Sequence, residues 1–249
     1  MCLLLIAHQT CPGYPLVVAA NRDEFHNRPA HAADFWSDYP HILGGRDAQA
    51  NGTWLAIDKQ GRLATITNIS RGLDVGNTPP SRGLIVSDFL NGDTAANHFV
   101  TELADVGHLY QGFNVIARDH ENLCWYSNDV QRPETLQPGI YTLSNASLHT
   151  AWPKTEALRE GFARAKFRDP EDAIESLLDI LHPHDDKTVA TSDLHASIFI
   201  NGNQYGTRCS TVVLIDDSGS ATFHERRFDS SGGITGESRF TFELQAPAG

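Results

Sequence analysis

The reading of this chain turns on its first 25 residues, MCLLLIAHQTCPGYPLVVAANRDEF (residues 1–25). Two apolar runs, Leu3–Ala7 and Leu16–Ala20, flank HQTCPGYP, whose Pro-Gly pair marks a turn. Runs joined this closely pair antiparallel, because a parallel crossover needs about a dozen residues or more. With the turn centred near Cys11–Pro12, residue 2 falls beside roughly residue 21. Cys2 then stands next to Asn21, Arg22 and Asp23. Two readings of that end are open. In one, Cys2 is a small apolar residue at a strand start and NRDE is a salt-bridged turn. In the other, removal of Met1 gives Cys2 its own base, an α-amine with a pKa of about 7.7–8. Such an amine can take the nucleophile's proton, with Asp23 holding the amine and Arg22 stabilising a thiolate or binding an anion.

Outward from this hairpin, Trp54–Ile57 and Leu63–Thr67 form a second strand pair around DKQG. SRGLIVSDFLNG reads as a helix from a capping Ser81 to Gly92, and Asp93–Asp105 as another. Strand patterns return at Phe113–Ala117, Leu123–Tyr126 and Ile140–Leu143. Helices follow over residues 153–166 and 169–182, the latter with Asp169 as cap and Pro170 at the first helical position. Ala196–Ile200, Thr211–Ile215, Ala221–Phe228 and Arg239–Leu244 read as strands. The order is four strands, two helices, three strands, two helices, four strands. Helices arriving in pairs can cover two stacked antiparallel sheets, so the expected class is α+β, a four-layer αββα sandwich in one domain over residues 1–249. HPHDDKTVATSD, residues 182–193, reads as a mobile surface loop.

A net charge of −12 over 249 residues repels nucleic acid and anionic membrane surfaces. No apolar run approaches the roughly 20 residues needed to span a bilayer. LLLIA is too short for a secretory apolar core and no basic stretch precedes it, so the chain reads as cytoplasmic. The 4 cysteines lack CxxC spacing, and none of the 12 histidines forms HExxH. Neither a disulfide framework nor a metal site is expected.

MC at the start, AANRDEF, GGRDAQANGTWLAIDKQGRLATITN, YTLSNASLHTAWPK and YGTRCSTVVLID together resemble the NRDE family, which includes the Transport and Golgi organization 2 proteins. The matching segments run from Met1 to about Phe228. That family in turn resembles the N-terminal-nucleophile hydrolases, whose fold is the four-layer sandwich expected above. The resemblance to cysteine amidases of that superfamily implies Cys2 as nucleophile and Asp23, in Asn21-Arg22-Asp23, as partner of the terminal amine. It implies Asn68 in ATITN and Asn145 in TLSN as oxyanion-stabilising residues, a contribution of roughly 3–4 kcal/mol in such sites. Those amidases place an Arg just before Asn-x-Asp, where this chain has Ala20. The family also implies intracellular haem trafficking, or lipid and acyl-CoA metabolism, with a small-molecule partner, haem as a carried ligand and no required cofactor.

Ligand-facing candidates are Asn21, Arg22, Glu24, Arg46, Trp54 and Arg208, with Arg71 and Arg82 as further guanidinium groups. His26, His31 and His41 could supply an axial haem ligand, or be ordinary hydrogen-bonded histidines. GGRDAQANGTW reads either as a flexible lip or as tight turns. Asn68 and Asn145 could equally be turn residues closing strands. Lys154, after Trp152-Pro153, reads as a solvated residue in the first turn of a helix.

Overall fold

The computed structural model describes residues 2–69, 79–183 and 196–246. Arg71 and most of the loop expected at residues 182–193 lie outside these. The first six strands are β1 (Cys2–Cys11), β2 (Tyr14–Phe25), β3 (Ala30–Phe35), β4 (Ile42–Asp47), β5 (Leu55–Asp58) and β6 (Leu63–Asn68). Helices α1 (Gly83–Asn91) and α2 (Ala96–Val106) follow, then β7 (Phe113–Arg118), β8 (Leu123–Ser127), β9 (Glu134–Thr135) and β10 (Gly139–Leu143). Helices α3 (Pro153–Arg164) and α4 (Pro170–Leu181) precede β11 (Tyr205–Ile215), β12 (Ser220–Phe228) and β13 (Ile234–Glu243).

The chain divides into two compact units. One comprises Met1–Asn27, Pro138–Ser144 and Leu148–Thr241; the other comprises Arg28–Gln137, Asn145–Ser147 and Phe242–Gly249. The first unit holds a six-stranded antiparallel sheet in the order β10-β1-β2-β11-β12-β13. Alternation along β1 and β2 turns Leu3, Leu5, Ala7, Val17 and Ala19 to one face, where they pack with Leu158 and Phe162 of α3 and Ile174, Leu177 and Leu178 of α4. Helix α4 begins as its sequence dictates: the Asp169 carboxylate accepts from the Asp172 amide, and Pro170 opens the first turn.

The second unit holds a seven-stranded sheet in the order β3-β4-β5-β6-β7-β8-β9. Its core joins Phe89 and Leu90 of α1 and Val100 and Leu103 of α2 to Ile66, Phe113, Val115 and Tyr126. The GGRDAQANGTW stretch is a packed strand and turn. A Cβ on Gly52 would stand 2.4 Å from the Gly83 carbonyl carbon, so only glycine permits this approach. Among the described residues, no helix is long and apolar enough to cross a membrane.

Several local expectations are corrected. Strands β3, β4 and β9 were not anticipated, and α1 starts after Arg82 with no side-chain cap from Ser81. Ala196–Ile200 is not a strand. The Ile200 amide donates to the Thr207 hydroxyl oxygen at 2.9 Å and the Ile198 carbonyl accepts from Asn21 Nδ2, so side chains meet backbone groups that a ladder would otherwise pair.

Candidate functional site

The β1–β2 turn lies at Pro12-Gly13, between the paired residues Cys11 and Tyr14. A regular hairpin from that turn would set Cys2 opposite Asp23. Between His8 and Cys11, however, β1 carries one extra residue, and Gln9 adopts φ 53°. The bulge moves the register by one, and Cys2 pairs with Arg22. Directly opposed residues share a face of the sheet, and a one-residue shift changes which face that is. Cys2 therefore shares its face with Arg22, while Leu3 pairs with Asn21. On the other side of β2, Cys209 also pairs with Arg22, so the guanidinium residue stands between two cysteines across three strands. Cys2 keeps partial exposure, but its thiol is surrounded by protein and that desolvation holds it above its ordinary value, with Asp23 adding to the rise. Cys209 is buried in β11, and burial pushes its thiol up strongly.

A second bulge, in β11, shapes the Asp23 environment. Thr207 pairs with Asp23 and Cys209 with Arg22, leaving Arg208 as the inserted residue. The Thr207 hydroxyl donates to Asp23 Oδ1 at 2.7 Å, and the Tyr205 hydroxyl donates to the Asp23 carbonyl at 2.9 Å. Asp23 is 2% exposed. Burial raises its carboxyl above the usual carboxylate value, while the Thr207 bond, the Lys154 ammonium and Arg22 pull the other way. Burial likewise pushes the Tyr205 phenol up, and the Asp23 carboxylate adds to it. Thr207, Tyr205 and Lys154 were missed in the sequence. Lys154 is 0% exposed, which corrects its reading as a solvated residue.

Asn21 is held by hydrogen bonds within the fold. Its Nδ2 donates to the Leu181 carbonyl at 2.8 Å and the Ile198 carbonyl at 2.9 Å, and its Oδ1 accepts from Ser210 at 2.6 Å. All its hydrogen-bonding capacity in those directions is used inside the fold. Arg208 ties the bulge to the end of β2 through Nη1, which donates to the Phe25 and His26 carbonyls at 2.9 and 3.2 Å. Half-buried Glu24 accepts from the Phe25 amide at 2.8 Å.

In the other unit, Asn68 and Asn145 come together: Asn145 Nδ2 donates to the Asn68 carbonyl at 2.7 Å. Asn145 is buried and Asn68, closing β6, is half-buried. Arg46 is engaged by protein groups around it. It donates to Asp38 Oδ1 and Oδ2 at 2.6 and 2.7 Å and to the Asn51 carbonyl at 3.2 Å, and lies 4.4 Å over the Trp36 ring. Half-buried Trp54 precedes β5, and its carbonyl accepts from Thr65 Oγ1 and the Ile66 amide. Arg82 Nη1 donates to the Gly112 carbonyl at 2.8 Å. Of the histidines, His26 Nε2 meets the Gly202 carbonyl at 2.8 Å, His41 Nε2 meets the Leu90 carbonyl at 3.3 Å, and His31 is exposed.

This unit also contains a cavity of about 620 Å³ lined by His41, Asp58, Arg62, Asp93 and Asp119 among others. Its guanidinium is committed: Arg62 donates to the carbonyls of Phe89, Gly92 and Thr94. The four carboxyl groups of Asp58, Asp93, Asp119 and Glu121 outnumber Lys59 and the engaged Arg62, a poor balance for receiving an anion.

Two antiparallel sheets, each with its own helices, and a cysteine at the open end of the first hairpin define an α+β protein of the N-terminal-nucleophile hydrolase fold. Its backbone is similar to that of the Caenorhabditis elegans N-acylethanolamine-hydrolyzing acid amidase ortholog, with a TM-score of 0.53 at 13% identity over 85% of this chain and 92% of that one. At that identity the likeness speaks for the fold alone. The sequence pattern of the family described as Transport and Golgi organisation 2 matches residues 1–230, and the chain belongs to that family. It is 35% identical to the Bos taurus Transport and Golgi organization protein 2 homolog, over 91% of this chain and 92% of the relative. With the Mus musculus homolog the identity is 34%, over 98% and 100% of the two chains. The Drosophila melanogaster Transport and Golgi organization protein 2 is 27% identical over 90% of this chain.

Proposed function

We propose that this chain, as a single cytoplasmic domain over residues 1–249, handles a small anionic or acyl ligand, haem or an acyl compound, in a site centred on Cys2. The supporting observation is a local reversal of charge. The whole chain carries −12, yet the end of β2 gathers Arg22, Arg208 and Lys154 against Asp23 and Glu24. Three cations against two carboxylates, beside a thiol, attract an anion that the rest of the surface repels. Haem enters as a carried ligand, and no resident cofactor is required. Titration with haem, followed by the Soret band, and competition by an acyl-CoA test this reading. Saturable binding at micromolar concentration, weakened in Cys2→Ala and Arg208→Ala, is expected. No saturable change with either ligand overturns it.

A second reading is supported by Asp23, whose carboxyl is fixed by the Thr207 hydroxyl one residue from the Arg22 that pairs with Cys2. Once Met1 is removed, the Cys2 amine takes the thiol proton and Sγ attacks an amide or thioester carbonyl. The amine then returns that proton to the leaving group as the tetrahedral intermediate collapses to an acyl-enzyme, and water releases the acid. Asp23 holds the amine. Asn68 and Asn145 keep the oxyanion role the resemblance gives them, tested by loss of turnover in Asn68→Ala and Asn145→Ala. The N-acylethanolamine amidase that shares the fold performs acyl-amide cleavage by its name, which makes fatty-acyl amides the first substrates to assay.

A further inference from the structure

The outer edge of a sheet offers a row of N–H and C=O groups to any further strand, and folds blunt such edges by keeping them short or by placing Pro or Lys on them. Among the described residues, the terminal strands of the two sheets are β10 and β13, and β3 and β9. Three of these are short, with 5 residues in β10, 6 in β3 and 2 in β9. Strand β13 has 10, reads ITGESRFTFE, and contains neither Pro nor Lys. From Thr235 to Thr241 its odd positions are exposed and its even ones half-buried, a regular strand along its whole first-unit length.

The charges at the exposed positions are held from within the chain. Arg239 donates to Glu171 of α4. Glu237 accepts from Arg226 of β12, which also donates to Glu175 of α4 at 3.2 Å. Both side chains therefore lie on the α4 face of the strand, already ordered. A second copy of β13 can continue the sheet antiparallel about a two-fold axis perpendicular to it, which keeps that face on the same side. Residues of equal parity then oppose each other, and the axis passes through one residue. An axis at Glu237 sets two glutamates face to face, and an axis at Arg239 sets two arginines face to face. An axis at Ser238 sets Glu237 opposite Arg239 of the second copy, and the reverse, with Thr235 opposite Thr241 and Gly236 opposite Phe240. Opposite charges, paired threonines and an aromatic ring over an edge glycine are each favourable across strands, whereas directly opposed like charges are not.

We propose that β13 is a homodimerisation edge, two copies pairing antiparallel through residues 235–241 with the two-fold axis at Ser238. Backbone hydrogen bonds supply the affinity, and the two Glu237–Arg239 pairs fix the register, since exposed ion pairs contribute little by themselves. The proposal is independent of the reading of the Cys2 end.

Sedimentation equilibrium of the full chain tests it. Wild type should dimerise reversibly in the micromolar range. Glu237→Arg and Arg239→Glu should each weaken self-association about tenfold or more, because each puts like charges opposite one another at both symmetric pairs. Mixing the two variants should restore the dimer, since in the mixed pair every charge again meets its opposite. A wild type that stays monomeric at high micromolar concentration overturns the proposal. So does a dimer indifferent to both variants, or a mixture that remains monomeric. Should either variant fail to fold, crosslinking decides. Directly opposed strand residues lie within disulfide reach, so Ser238→Cys should crosslink to its own copy on mild oxidation, beyond any wild-type background. Thr235→Cys should crosslink when mixed with Thr241→Cys and not when alone. No Ser238→Cys crosslink above background, or equal crosslinking of Thr235→Cys alone, overturns the register and with it the proposal.

Discussion

Burial lifts the Asp23 carboxyl above its ordinary value, and this fixes the sign of a pH dependence. Between the unfolded and the raised folded pKa, the native state binds the extra proton, so stability falls as pH rises through that window. Below the unfolded pKa the effect vanishes. Wild type should therefore lose stability relative to Asp23→Asn as pH rises above the ordinary carboxylate range. Urea unfolding of both proteins across the acid range checks this, and a difference that is flat with pH would contradict it. Thr207→Val removes the 2.7 Å hydroxyl donor to Asp23 and should cost about 1–3 kcal/mol in urea unfolding, the usual cost of leaving a buried acceptor without its donor. Cys2 and Asp23 were legible because one short hairpin carries both. Thr207 was not, because its partner is 184 positions away and no periodicity connects a β11 threonine to a β2 carboxylate.

The elements divide by how local their determinants are. Helix α4 was readable to within a residue, since Asp169, Pro170 and the apolar spacing of Ile174, Leu177 and Leu178 all lie inside it. Asp169→Ala should cost about 1 kcal/mol in urea unfolding, the usual worth of such a cap. Strands β3 and β4 were hidden, the one because most of its residues face solvent, the other because Gly44 and Gly45 read as a turn. The register of β1 on β2 was one residue out for two reasons. The turn falls one position later than Cys11–Pro12, which alone would set Cys2 opposite Asp23, and a bulge between His8 and Cys11 that the sequence does not announce moves the pairing back to Arg22. That single residue decides whether Cys2 opposes Asp23 or Arg22. Asn21→Ala should destabilise by about 3 kcal/mol or more, because it strands the buried carbonyls of Leu181 and Ile198 together with the Ser210 hydroxyl. A residue whose only task was to meet a ligand would leave urea stability unchanged.

At the scale of the molecule, an acidic chain concentrates cations at one strand end and carboxylates around a cavity elsewhere. The class of fold was legible from element order and motif succession. The local reversal of charge at the end of β2 was not, because Arg208 and Lys154 come to it from β11 and α3, far along the chain. The hydrolytic reading makes its own prediction: protein isolated from its natural host should have an intact mass lacking Met1, and a retained methionine would leave no terminal amine on Cys2. The central claim concerns where the ligand binds, and amide-resolved NMR titration with zinc protoporphyrin and with an acyl-CoA tests it most directly. The account predicts saturable shifts confined to Cys2, Arg22–Glu24, Lys154 and Tyr205–Cys209. Shifts gathered instead on His41, Asp58, Arg62 and Asp119, or no saturable shifts with either ligand, would contradict it.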